Sequence, residues 1–202
     1  NETGSIQPIS EISQIAKKHN IVFHTDAAQS LGKIEADVTK LGVDLLSIAG
    51  HKLYAPKGIG ALYIKRGIKL EKLMHGADHE QNLRAGTENV LEIVGLGKAA
   101  EIAKRDLESN QKHFTLVRDK LHTTLESKLE STKLNGHAKQ RLPNTLNISF
   151  QNIEANTLLA ELKEIAASAG AACHAEQVDV SSVLEAMKVP LEYAMGAIRF
   201  SV

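Results

Sequence analysis

The chain has 202 residues, with 24 Lys plus Arg against 24 Asp plus Glu, 43% apolar and 24% charged residues. That balance describes a globular protein with a real core, and a formal charge of zero leaves no electrostatic footprint for a nucleic-acid partner. No apolar run approaches the roughly 18 residues that span a bilayer, and a lone cysteine, Cys173, excludes an intrachain disulfide.

Pro8 and the spacing of Ile9, Ile12, Ile15 and Ala16 predict a first helix with one apolar face. Ile21-Val22-Phe23 is a short apolar run that breaks into His24-Thr25-Asp26. Residues 36–41 read as a helical turn closed by Gly42, and residues 43–49 as a second strand that breaks into Gly50-His51-Lys52. Residues 59–64 form a third strand, and this alternation predicts an α/β fold with a mostly parallel sheet. Residues 67–87 read as a loop, and Glu88 to about Ser131 as one or two long helices, with Leu107, Phe114, Leu121 and Leu125 at helical spacing. Strands are expected at Thr145–Phe150 and Ala197–Ser201, and helices at Ala155–Ile165 and Ser181–Lys188. The composition shifts near residues 85–90. That places a boundary between an α/β part, 1–88, and a long helix plus a smaller α+β part, 89–202, which carries the cysteine. The chain opens Asn1-Glu2-Thr3-Gly4 without a signal-like segment and closes within a strand pattern, so it is expected to be a piece of a longer chain.

Ligands of open α/β sheets bind beyond the carboxyl ends of the parallel strands. Two strands here end in reactive groups, one at Asp26 with Gln29 just beyond, the other at His51-Lys52. A carboxylate and a primary amine on one crevice suit pyridoxal phosphate, which needs a lysine to hold it and an acid to keep its ring nitrogen protonated. A capping Asp26 and a solvated Lys52 fit the same spacing, which by itself leaves both readings open. His75 and His79 stand four apart in a Gly-containing segment with no third ligand in view, so no metal site is expected. Cys173, judged by residue type alone, reads as a buried structural thiol.

Three ordered blocks then carry a resemblance: His24-Thr25-Asp26-Ala27-Ala28-Gln29-Ser30, Gly50-His51-Lys52-x-Tyr54-x-Pro56-Lys57-Gly58 and Arg84-Ala85-Gly86-Thr87-Glu88-Asn89. Together they resemble the signature blocks of the cysteine desulfurase and selenocysteine lyase family, class V enzymes of the fold-type-I pyridoxal phosphate group. Asn1 to Pro8 resembles the block before them, and the family's chain is roughly twice as long. The resemblance implies that residues 1–88 are the C-terminal part of the cofactor-binding large domain. It implies that Lys52 is the cofactor-linked lysine and proton shuttle, and that Asp26 pairs with the ring nitrogen. Gln29 and Asn1 would bond the phenolic oxygen, and His51 would bond the phosphate. Thr87 would reach the cofactor of a second subunit in a homodimer, and Arg199 would hold the substrate carboxylate. Cys173, in Ser168-Ala169-Gly170-Ala171-Ala172-Cys173-His174, would accept sulfur as a persulfide for a sulfur-acceptor protein in iron–sulfur cluster assembly.

The implied reaction is release of sulfur from L-cysteine to give L-alanine, with the cytoplasm as the expected compartment. The alternatives are a selenocysteine lyase acting on L-selenocysteine, a class V aminotransferase with a structural Cys173, and an inactive fragment or scaffold. Gly-Ala-Ala-Cys-His and the Ala49 below resemble the selenocysteine branch. Two departures stand out: many members carry Ser as a phosphate ligand where this chain has Ala49, with Ser47 as a possible substitute, and no ring-stacking side chain or upstream phosphate turn is present. The fragment alone is expected to be inactive.

Overall fold

The computed structural model describes residues 1–169, 171–174 and 177–202, with 171–174 and 177–179 described by their backbone alone. The chain forms two compact units, Gln7–Leu107 and Asn1–Ile6 with Glu108–Val202.

The Gln7–Leu107 unit opens with α1 (Ile9–Lys18) and β1 (His24–Asp26). Short α2 (Val38–Leu41) is capped by Asp37, whose Oδ1 accepts the Thr39 and Lys40 N–H groups, and it ends on Gly42. Next come β2 (Leu45–Ala49), a 3-10 turn over Gly50–Leu53, and β3 (Gly60–Ile64). A one-turn α3 (His79–Asn82), with Glu80 and Gln81 in left-handed conformations, precedes α4 (Val90–Arg105). The sheet order is β1-β2-β3. β1 and β2 are parallel, as expected, with Asp26 beside Ser47. β3 instead runs antiparallel to β2, so this sheet is mixed. The reason is length: residues 50–59 form a tight connection, too short for the crossover of a dozen or more residues that parallel neighbours need. Ala27, Val43 and Leu46 form the core on one side of this sheet.

The expected apolar face of α1 is only partly used. Ala16 and Ser13 are buried, while Ile15 is 61% exposed. The helix packs through its small residues: a Cβ at Gly42 would lie 2.6 Å from Ser13 Oγ.

In the second unit, α5 (Leu107–Lys128) leads to β4 (Thr132–Leu134) and β5 (Thr145–Phe150). Then follow α6 (Ala155–Glu161), β6 (Ser168–Ala169), β7 (Ala171–His174), β8 (Gln177–Val180), α7 (Ser182–Ala186), α8 (Leu191–Ala194) and β9 (Ala197–Ser201). β4-β5-β9-β6 form one antiparallel sheet, and β7-β8 pair separately. Leu146, Ile148 and Ile198 are fully buried, and so are the polar Asn147 and Ser149. Asn135 satisfies both polar groups, donating from Nδ2 to Asn147 Oδ1 at 2.8 Å and to Ser149 Oγ at 2.7 Å.

The units divide differently from the boundary expected at 88/89. α4 stays with the first unit because it packs on the 3-10 turn region: a Cβ at Gly95 would lie 2.9 Å from Pro56 Cδ. Residues 1–6 join the second unit through backbone bonds. The Leu142 N–H donates to Gly4 O at 2.7 Å, and the Ile6 N–H donates to Gln140 O at 2.9 Å. Among the described residues, no helix is long and apolar enough to cross a membrane.

Candidate active site

Strand pairing sets the direction of the first reactive group. In a strand, alternate side chains share a face. Leu46 is buried in the core, so Ser47 faces the other way, and its parallel neighbour Asp26 faces with it. His24 confirms the face, since its Nε2 lies 2.7 Å from Ser47 Oγ. Asp26 is exposed there, at the carboxyl end of β1, and its Oδ1 accepts the Ala28 N–H at 2.8 Å. That bond turns the chain sharply after the strand and fixes the carboxylate's rotamer. One oxygen thus caps a turn, as the capping reading expects, while the residue stands exposed on the solvent face of the sheet.

His51 and Lys52 lie in the 3-10 turn directly after β2, at the same carboxyl end of the parallel pair. The turn is built close to β3: Gly50 N–H donates to Ile59 O at 2.9 Å, and a Cβ at Gly50 would lie 2.6 Å from that same oxygen. Only a glycine fits, which explains the Gly before His51-Lys52. Leu53 and Ala55 are buried beneath, His51 is exposed and Lys52 is half-buried. Gln29 is half-buried in the turns after Asp26, and Thr87 is exposed just before α4. Ser47 shares its face with Ala49, and its hydroxyl is engaged by His24.

Arg199 and Asn1 belong to the other unit, where they meet. Arg199, on β9 between Asn147 and Ser168, donates from Nη1 to the backbone oxygen of Asn1 at 3.3 Å and from Nη2 to Ser168 Oγ at 3.2 Å. Its Nε is buried with no hydrogen-bond partner among the described residues. Cys173 lies on β7 opposite Val178, and its side chain lies outside the described residues. Of the histidine pair, His79 Nδ1 accepts the Gly86 N–H at 3.2 Å, and no metal-ligand cluster forms among the described residues.

One residue near the site was not anticipated. Lys33 is buried and donates from Nζ to the backbone oxygen of Lys52 at 3.2 Å. Burial, and after it the charge of Lys52, pushes its ammonium below the ordinary lysine range.

Within the Gln7–Leu107 unit the donor set fits a pyridoxal phosphate: a carboxylate and an amine stand at one sheet end. All 202 residues match the model of the family described as "Aminotransferase class-V". The chain is 46% identical to "Cysteine desulfurase IscS" of Dictyoglomus turgidum and 49% identical to "Cysteine desulfurase IscS" of Methanosarcina thermophila, covering 100% of this chain and 52% and 50% of those proteins. A solved "NIFS-LIKE PROTEIN" superposes with a TM-score of 0.88 at 38% identity, covering 100% of this chain and 53% of that one. The chain thus spans about half the length of the curated relatives it matches, and it belongs to the class-V aminotransferase family.

Proposed function

We propose that the protein containing these residues is a pyridoxal phosphate-dependent cysteine desulfurase that converts L-cysteine to L-alanine and leaves the sulfur as a persulfide on Cys173. The observation that carries this reading is the arrival of Asp26 and Lys52 at one carboxyl end of a parallel strand pair, with Asp26 on its solvent face. The similarity to proteins named cysteine desulfurase points the same way.

When bound, the cofactor supplies an electron sink for a carbanion at the substrate Cα. The residues of the chain do the rest. Asp26 would keep the ring nitrogen protonated, and Gln29 and Asn1 would hydrogen-bond the phenolic oxygen. His51 would hold the phosphate, and Thr87 would reach the cofactor of a second subunit in a homodimer. Lys52 would hold the cofactor by its amine and would take the proton from the substrate Cα. Arg199 would bind the substrate carboxylate; its Nε has no hydrogen-bond partner among the described residues. The Cys173 thiolate attacks the substrate sulfur. An S–S bond forms, the Cβ–S bond breaks, and its electron pair stays with the carbon side, to be protonated as alanine. A sulfur-acceptor protein of iron–sulfur assembly then takes the persulfide sulfur, and the compartment is the cytoplasm.

The test uses the full-length protein loaded with pyridoxal phosphate. Borohydride reduction and peptide mapping should find the cofactor on Lys52, and L-cysteine should yield alanine in equal amount to the sulfur released with a thiol reductant. Cys173→Ala should lose the persulfide, and Lys52→Ala should lose all turnover. No alanine from either L-cysteine or L-selenocysteine would reject the reading; alanine from selenocysteine alone would move it to a selenocysteine lyase.

A further inference from the structure

Lys33 is a charged side chain only 9% exposed, bonded to the backbone of the residue that carries the chemistry. Burying an ammonium is costly, and a methionine would fill the same space without that cost. What the ammonium adds is a directed bond. Its own backbone is firmly held. Ser30 and Leu31 N–H groups both bond Ala27 O, and Lys33 and Ile34 N–H groups both bond Ser30 O, so the segment after Asp26 is a run of hydrogen-bonded turns. A Cβ at Gly32 would lie 2.6 Å from Leu53 Cδ2 and 3.2 Å from Ala103 Cβ, so this segment is seated on the 3-10 turn and on α4. The 3-10 turn itself needs support: it is one turn long, with the weaker i→i+3 geometry, and ends on Tyr54 in a left-handed conformation.

We propose that Lys33 is a positioning residue: reaching from the turns that follow Asp26, it grips the Lys52 carbonyl and so fixes the spacing between the carboxylate and the amine that hold the cofactor. This rests on the assignment of Lys52 and Asp26 under Proposed function. The site must be held to a fraction of an ångström to work well, and this bond adds to the β1–β2 pairing a tie that ends on Lys52 itself. Burial first, and the charge of Lys52 second, lower the proton affinity of Lys33.

The experiment compares full-length, cofactor-loaded wild type with Lys33→Met and Lys33→Arg. The Met variant should lose about 10- to 100-fold in kcat, the range expected for a small misplacement of reacting groups, with KM nearly unchanged because Arg199 is untouched. Its visible circular dichroism, which reports the cofactor's orientation, should weaken or change shape while the far-ultraviolet signal stays. Lys33→Arg retains a cationic donor and should recover most of both. Wild-type kcat and visible dichroism in Lys33→Met would overturn the proposal, and so would an Arg variant as impaired as the Met one. If Lys33→Met does not fold, Lys33→Gln, whose shorter neutral side chain cannot make the same reach, decides by the same two readouts. Failure of the underlying assignment is distinct: wild type would then show no borohydride-stable cofactor on Lys52.

Discussion

Asp44 illustrates how single residues frame this site. It stands just before β2 with little exposure; its Oδ2 accepts the Phe23 N–H at 3.1 Å and its Oδ1 accepts from Lys65 Nζ at 2.9 Å. One carboxylate thus aligns the starts of β1 and β2 with the end of β3. The Lys65 ammonium first, and the Phe23 N–H next, hold its carboxyl below the ordinary value of 3.8. The native state therefore binds its proton less readily than the unfolded chain does. The stabilisation is full above the ordinary value and fades as pH falls through the depressed one. Lys65, raised by the same bond, loses its share only as pH climbs past 10.5. Asp44→Asn should be less stable than wild type at neutral pH by urea unfolding, and the gap should close in strong acid. A gap that stays constant from neutral to acid would show that the charge of Asp44 contributes nothing.

The residue scale also shows what a sequence can disclose about a site. Asp26 and Lys52 stood out because each follows an apolar strand run, but that spacing alone suited a capping aspartate and a solvated lysine equally well. Gly50 was legible as part of a block, but its cause, the Ile59 carbonyl beneath it, was not. Lys33 was invisible: its partner is a backbone oxygen nineteen positions away, and no residue type marks a backbone acceptor.

At the level of elements, the same contrast separates periodic from paired structure. α5, β5 and β9 carry their own periodic signal. β4 is three residues long and exists because it pairs with Ile148–Phe150, a partner that no local pattern reveals. The joining of residues 1–6 to the second unit is non-local in the same way. α5 offers a test of which contacts hold an element. Its Arg118 is buried, donates from Nη1 to Leu142 O at 2.7 Å and from Nε to Asp119 Oδ1 at 2.8 Å, and Arg141 shares that carboxylate oxygen. Arg118→Met removes the charged donor and leaves the Leu142 carbonyl only the long bond from the Thr145 N–H at 3.5 Å, for an expected loss of about 1.5–3 kcal/mol. The Lys112–Glu108 pair on the same helix lies in solvent, and Lys112→Met should leave the unfolding midpoint where it is. Equal effects of the two substitutions in denaturant melts would refute the assignment of Arg118 as the anchor.

Across the whole molecule, the two units have separate apolar centres. Leu46 packs with Ala27 and Val43 in the mixed sheet, whereas Ile148 lies in the antiparallel sheet beside Leu134 and Ile198. The division also sorts the residues proposed for the site. Asp26, Gln29, His51, Lys52 and Thr87 ride on the first framework, and Asn1, Arg199 and the Cys173 strand ride on the second. Substitutions that share no packing partner add in free energy to within about 0.5 kcal/mol. Leu46→Ala should cost about 2–5 kcal/mol and Ile148→Val about 0.5–1.5 kcal/mol, and the double variant of the full-length protein should cost their sum. Agreement of the sum with the measured double-variant loss in urea titrations would mean that each framework can be repacked without disturbing the residues carried by the other. A discrepancy well beyond 0.5 kcal/mol would mean that the two centres respond as one, and that the residues proposed to hold the cofactor and the carboxylate cannot be altered independently through their cores.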